Sequence, residues 1–254
     1  MNSTIVGKLL ARGMAAGLVA GLLALVVAYF LGEPPTEAGI AYEAAHSHEE
    51  GEELVSRAAQ STTGLATGVL VYGVGLGGIA ALAYCFALGR VGAFGPRATA
   101  GLLSLSGLVA VYIVPFLKYP ANPPAVSDAA TISQRTTLYL LMVVLSVLLA
   151  VAAVILGKRL APRLGNWNAT IAAGAFFVLA VGLAYAFLPA VNEMPKDFPA
   201  EVVWQFRISA LAVQAVLWAG FGLVFGVLAE RLLPPLRAGT RIGAAEPRAV
   251  APSA

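Results

Sequence analysis

The 254-residue chain has a single cysteine, Cys85, so no intramolecular disulfide can tie it together. Charge is scarce as well. Only 11% of its residues are Asp, Glu, Lys or Arg, where a soluble domain carries about a quarter, and this excludes an ordinary water-exposed globule. There is no glycine-rich nucleotide loop, no His-Glu-x-x-His and no Gly-x-Ser-x-Gly, so neither an ATPase nor a soluble-type hydrolase is supported. The long apolar runs contain no Asp, Glu or His, which leaves a membrane-embedded enzyme without the convergent ionisable set it needs, and we read the chain as non-enzymatic. Its sixteen basic residues are scattered and form no patch that would select nucleic acid.

What is present is apolar surface: 59% of residues are hydrophobic and the mean hydropathy is +0.83. Spanning a hydrocarbon core takes roughly 20 residues of helix. Six charge-free runs are long enough: Gly13 to Leu31, about Ser61 to Leu88, Ala98 to Leu117, Thr136 to Gly157, about Thr170 to Leu188, and Ile208 to Ala229. Continuous runs of this length predict helices rather than the ten-residue alternation of a barrel. The expected fold is an all-α integral membrane protein, a bundle of about six transmembrane helices in the lipid bilayer. The first run exceeds the apolar length of a signal peptide and no small-x-small site follows Phe30, so it is read as a span.

Orientation follows from the basic residues between spans. Eleven (Lys8, Arg12, Arg90, Arg97, Lys158, Arg159, Arg163, Arg231, Arg237, Arg241, Arg248) fall on one side and five on the other, which puts both termini in the cytoplasm. Residues 1–232 form the polytopic membrane domain, with an acidic loop at 33–60 facing outward, and the Ala/Pro-rich stretch 233–254 reads as a disordered cytoplasmic tail.

That outer loop is where charge is sorted. It holds both histidines, His46 and His48, and seven of the thirteen acidic residues, opposed only by Arg57, a net of six negative charges in a chain that is +3 overall. The first helix should stop near Gly32, because Pro34 and Pro35 follow, and Thr36 can then cap a new helix. On that helix Glu43 and His46 are three residues apart and His46 and Glu50 four, so one stripe presents carboxylate, imidazole and carboxylate. If the segment is extended, His46 and His48 share one side instead. The candidate metal ligands are His46, His48 and Glu43, helped by Glu33 or Glu37. Carboxylates with imidazoles suit a borderline divalent ion such as Co²⁺, Ni²⁺ or Zn²⁺. A solvated acidic loop that binds nothing has the same composition, and the residues alone do not choose.

Elsewhere the signals concern packing. Gly13, Gly17 and Gly21 clear one face of the first span for a close helix neighbour. Six glycines between Gly64 and Gly78 predict tight packing of the second, or a local unwinding near Gly73 to Gly78. Four prolines between Pro115 and Pro124 stiffen the outer exit of the third. Gln60, Thr62 and Thr63 recur 74 residues later as Gln134, Thr136 and Thr137, and Pro115 recurs as Pro189, a pattern that fits a tandem two-helix repeat. Arg207 is expected to anchor at the headgroups beside Trp204. For Arg135, anchoring and pairing with the acidic loop both remain open.

The first span followed by Glu33-Pro34, then Ala41-Tyr42-Glu43, the acidic His segment with Arg57 to Gln60, and Lys118-Tyr119-Pro120-Ala121-Asn122-Pro123-Pro124 together resemble the CbtA family over roughly residues 5–232. The resemblance implies a cobalt-uptake subunit of the bacterial inner membrane, linked to cobalamin biosynthesis, with about five spans against the six counted here. It also implies a small single-span, His-bearing CbtB-type partner, and association between copies stays open. The alternative is a structural or assembly subunit that uses the glycine faces and needs no metal.

Overall fold

The computed structural model describes residues 2–46, 55–124, 126, 131–191 and 193–233. Among the described residues no strand occurs, and five helical elements are long and apolar enough to cross a membrane: Ser3–His46, Arg57–Ala87, Pro96–Lys118, Ile132–Phe187 and Ala200–Glu230. Six runs give five elements because the fourth and fifth share α7 (Ile132–Phe187), 56 residues long. A straight helix of that length would reach about 84 Å, nearly three times a hydrocarbon core of about 30 Å. It is not straight. Gly165, shortly after Pro162, has φ 74°, a conformation that glycine adopts without steric cost. A Cβ built on Gly157 would lie 3.3 Å from Ala173 Cβ, and Met142 shares a buried cluster with Val181, so the two arms fold back side by side.

The first helix does not end at Gly32 as expected. α1 (Ser3–Val27) runs through a π-helical turn, Ala28–Gly32, into α2 (Glu33–His46). Proline lacks an N–H and crowds the carbonyl one turn back; the wider π turn accommodates both, with the Glu33 N–H reaching Ala28 O. Thr36 therefore caps nothing, and its hydroxyl donates to Gly32 O at 2.7 Å. The same device precedes Pro115: α5 (Pro96–Gly107) passes through the π turn Leu108–Ile113 into α6 (Val114–Lys118), and Ser146 Oγ donates to the Ala110 carbonyl inside that turn. A third π turn, Gln60–Gly64, joins α3 (Arg57–Ala59) to α4 (Leu65–Ala87). The irregularity of the second span lies there and not at Gly73 to Gly78, where α4 is regular.

Small residues set the packing. Gly13 and Gly17 of α1 meet Gly73 and Gly77 of α4 backbone to backbone, as the four-residue spacing predicted. α8 (Ala200–Glu230) lies across the same helix, with Gly220 over Ala20. Leu9, Ala16, Ala20, Tyr84, Phe221 and Phe225 form the buried core between these helices. α5 joins through Ser104 Oγ, which donates to the Trp218 carbonyl. The arms of α7 expose Phe187, Leu179 and Trp167 by 74% or more, apolar surface of the kind that lipid covers. From residue 234 on, the expected disordered tail lies outside the described residues.

Candidate functional site

Polar side chains and proline-rich segments gather at one end of the bundle, around α2. A Cβ on Gly39 would lie 3.0 Å from Pro124 O and 3.3 Å from Pro123 Cβ, so α2 rests directly on the exit of the third span. One turn further, the Tyr42 ring packs on Phe198 at 4.7 Å between centroids and on His46 at 4.0 Å, the latter nearly parallel. His46 Nδ1 is 2.8 Å from Tyr42 O. A carbonyl only accepts, so this ring nitrogen is the donor. The His46 side chain is exposed, one turn after exposed Glu43.

Of the four expected ligands among the described residues, Glu33 stands apart from Glu43 and His46. Glu33 and His46 sit at opposite ends of one continuous helix, thirteen residues or about 20 Å of rise apart, and Glu33 is in an ion pair with Arg57. Glu37 is exposed on the turn after Glu33. Among the described residues no group of three His, Cys, Asp or Glu side chains could hold a metal. His48, together with Glu49, Glu50, Glu52 and Glu53, lies outside the described residues.

The loops beside α2 are held by arginines. Arg135 donates to Pro120 O at 2.6 Å and to Glu193 Oε2 at 3.3 Å, while Thr131 donates to the other carboxylate oxygen of Glu193. Arg207, expected at the headgroups, turns inward instead: it donates to Ala121 O at 3.2 Å and Asn122 Oδ1 at 3.0 Å. Proline-rich backbone leaves carbonyls unclaimed by helix, and a guanidinium with five donors satisfies several at once. Burial pushes the Tyr119 hydroxyl above its ordinary value, and it donates to Pro189 O at 2.8 Å. The proline-rich exit of the third span therefore touches the chain at Pro189, after the fifth run.

Two clefts open beneath this cap, with Tyr112 in the wall of both. One, of about 420 Å³, is bounded by Tyr119, Arg135, Thr136 and Tyr139. The other, of about 220 Å³, is bounded by Gly32, Glu33, Thr36, Ser209 and Gln214. Two π turns line the second, Ala28 and Gly32 from one and Tyr112 from another, and Leu65 directly follows the third. Gln214 escaped the sequence reading, although it is the one amide side chain inside any of the six apolar runs.

A family model described as "Probable cobalt transporter subunit (CbtA)" matches residues 6–230, nearly the whole chain. No curated protein and no solved structure matches it.

Proposed function

We propose that this chain, which belongs to the CbtA family, is the membrane subunit of a divalent transition-metal uptake system with cobalt as its cargo, and that the ion is first captured at the acidic segment 33–60. We read the two arms of α7 as separate crossings, which makes six. Both termini then share one side, and the basic residues assign that side to the cytoplasm of a bacterial inner membrane.

The observation that carries the capture reading is His46, whose Nδ1 is held by Tyr42 O and whose ring is fixed between two constraints. A ligand oriented before the ion arrives loses little freedom on binding. Glu43 stands one turn back and His48 two residues on, so a carboxylate and a second imidazole are within the same short stretch. Six net negative charges in the segment raise the local cation concentration, with a reach of about 8 Å at physiological salt. Transfer onward engages a single-span, His-bearing partner of the CbtB type, and the delivered cobalt feeds cobalamin synthesis.

Cobalt uptake by cells carrying the wild type or the His46→Ala, His48→Ala double variant decides between transport and scaffold. At limiting external Co²⁺ the variant should take up roughly tenfold less, the order of loss seen when metal ligation is weakened. Equal uptake at equal expression would remove the histidines from the route and favour an assembly role.

A further inference from the structure

The smaller cleft has the volume and chemistry of a cation site, and capture at His46 makes no use of it. Its volume of about 220 Å³ corresponds to roughly seven waters at about 30 Å³ each, enough for one ion with its first hydration shell. Oxygen lines it. Thr36 and Ser209 commit their hydroxyl protons to Gly32 O at 2.7 Å and Phe206 O at 2.9 Å, so only lone pairs remain for a ligand. Gln214 Oε1 is buried and has no hydrogen-bond partner among the described residues. The same amide stands against the Tyr72 hydroxyl, and its oxygen is left for a further partner. The carboxylate of the cleft, Glu33, is met by the Arg57 guanidinium, whose side chain is 31% exposed. Two π turns line this cleft, and the residue that follows a third borders it; such turns recur at functional sites.

We propose that the cleft is a transit site for a hydrated divalent cation, with Glu33 and Gln214 Oε1 as its ligands and Arg57 as the tethered cation that the ion displaces. The proposal takes the identity of the ion from the uptake reading. An all-oxygen set binds a borderline metal less tightly than imidazole does, and a weak site following a stronger one is what passage requires. Thr36 and Ser209 complete the oxygen shell without adding charge.

The test is calorimetric titration of the purified full chain with Co²⁺ in the His46→Ala, His48→Ala background, where imidazole capture contributes nothing. Arg57→Gln should tighten binding about tenfold by removing the competitor, and Glu33→Gln should weaken it at least about tenfold. Gln214→Leu, remote from the ion pair and so informative even if those two variants misfold, should weaken it about threefold to tenfold. No Co²⁺ binding in a monodisperse background protein, or an affinity unmoved by both Arg57→Gln and Gln214→Leu, overturns the site. Uptake in cells separates the two readings. Binding at the cleft without uptake would sink the transport reading and leave the cleft, whereas uptake indifferent to Gln214→Leu would sink the cleft and leave transport.

Discussion

Gly77→Ala adds one methyl group where two helix backbones meet. The new Cβ would stand 2.9 Å from Gly17 Cα and against the Gly13 carbonyl. Carbon atoms rest at about 3.5–4.0 Å, and both neighbours are main chain, with no torsion through which to turn aside. α1 and α4 must therefore separate by up to about 1 Å, and strain of this kind typically costs about 1–3 kcal/mol. Against it stands the helix propensity of alanine, better than glycine by about 1 kcal/mol.

Gly75, on the same helix, isolates the clash. A Cβ there meets nothing within 4 Å, so Gly75→Ala keeps the propensity gain and adds no strain. Because both substitutions share that gain, the difference between them is the overpacking cost alone, about 1–3 kcal/mol. The assay is thermal unfolding of the detergent-purified protein, with Gly68→Ala, also facing open space, as a second control. Gly77→Ala should unfold first, and Gly75→Ala at or above the wild-type temperature. If Gly77→Ala and Gly75→Ala unfold together, the glycine seam between α1 and α4 does not exist.

The other predictions are shorter. Glu193→Leu removes the carboxylate that Arg135 meets, on a side 3% exposed, and leaves its bond to Pro120 O; the cost is about 3 kcal/mol, and the double change Arg135→Met, Glu193→Leu should recover most of the lost unfolding temperature. In a Cys85→Ser background, Glu52→Cys should react with an impermeant thiol reagent in intact cells and Arg159→Cys should not; the reverse pattern inverts the topology. Backbone amides of α4 between residues 70 and 85 should exchange with deuterium more slowly than those of α7 between 138 and 152.

How far the sequence carried the reading depended on the range of the signal. Gly13, Gly17 and Gly21 announce a packing face because helical spacing is a local property, and the structure uses that face with α4. The stiffness of the Pro115 to Pro124 exit was legible for a similar reason, whereas the bond from Tyr119 to Pro189, 70 residues away, appears only in the fold. The continuation through Pro34 and Pro35 was not legible. The rule that proline ends a helix holds for a regular α-helix, and a π turn placed ahead of it changes the premise. That continuity also separates Glu33 from His46, which a flexible segment would have let approach. Arg207 was misplaced because the carbonyls that attract it, Ala121 O and its neighbours, lie 86 residues away in the chain. Gln214 was visible as a lone amide, but only the fold shows that its oxygen is left without a partner.

The exchange prediction rests on two kinds of contact. α1 and α4 touch through glycine, backbone against backbone, and such a contact works at a single separation, because no side chain can extend to follow a displaced neighbour. α7 is held differently. Tyr185 reaches the Val114 carbonyl, Lys118 the Tyr185 carbonyl at 2.9 Å, and Lys158 the Arg90 carbonyl at 2.7 Å, all through long side chains whose torsions absorb movement. Each of these bonds can persist while the helix shifts, so local opening of α7 gives up little, whereas opening α4 gives up the whole seam at once. The larger cleft, walled by Tyr112 on one side and by Arg135 and Tyr139 of α7 on the other, lies on the compliant side of this division. A change in its volume then moves α7 and leaves α1 and α4 in place. Slower exchange in α7 than in α4, measured on the same sample, would reverse that assignment.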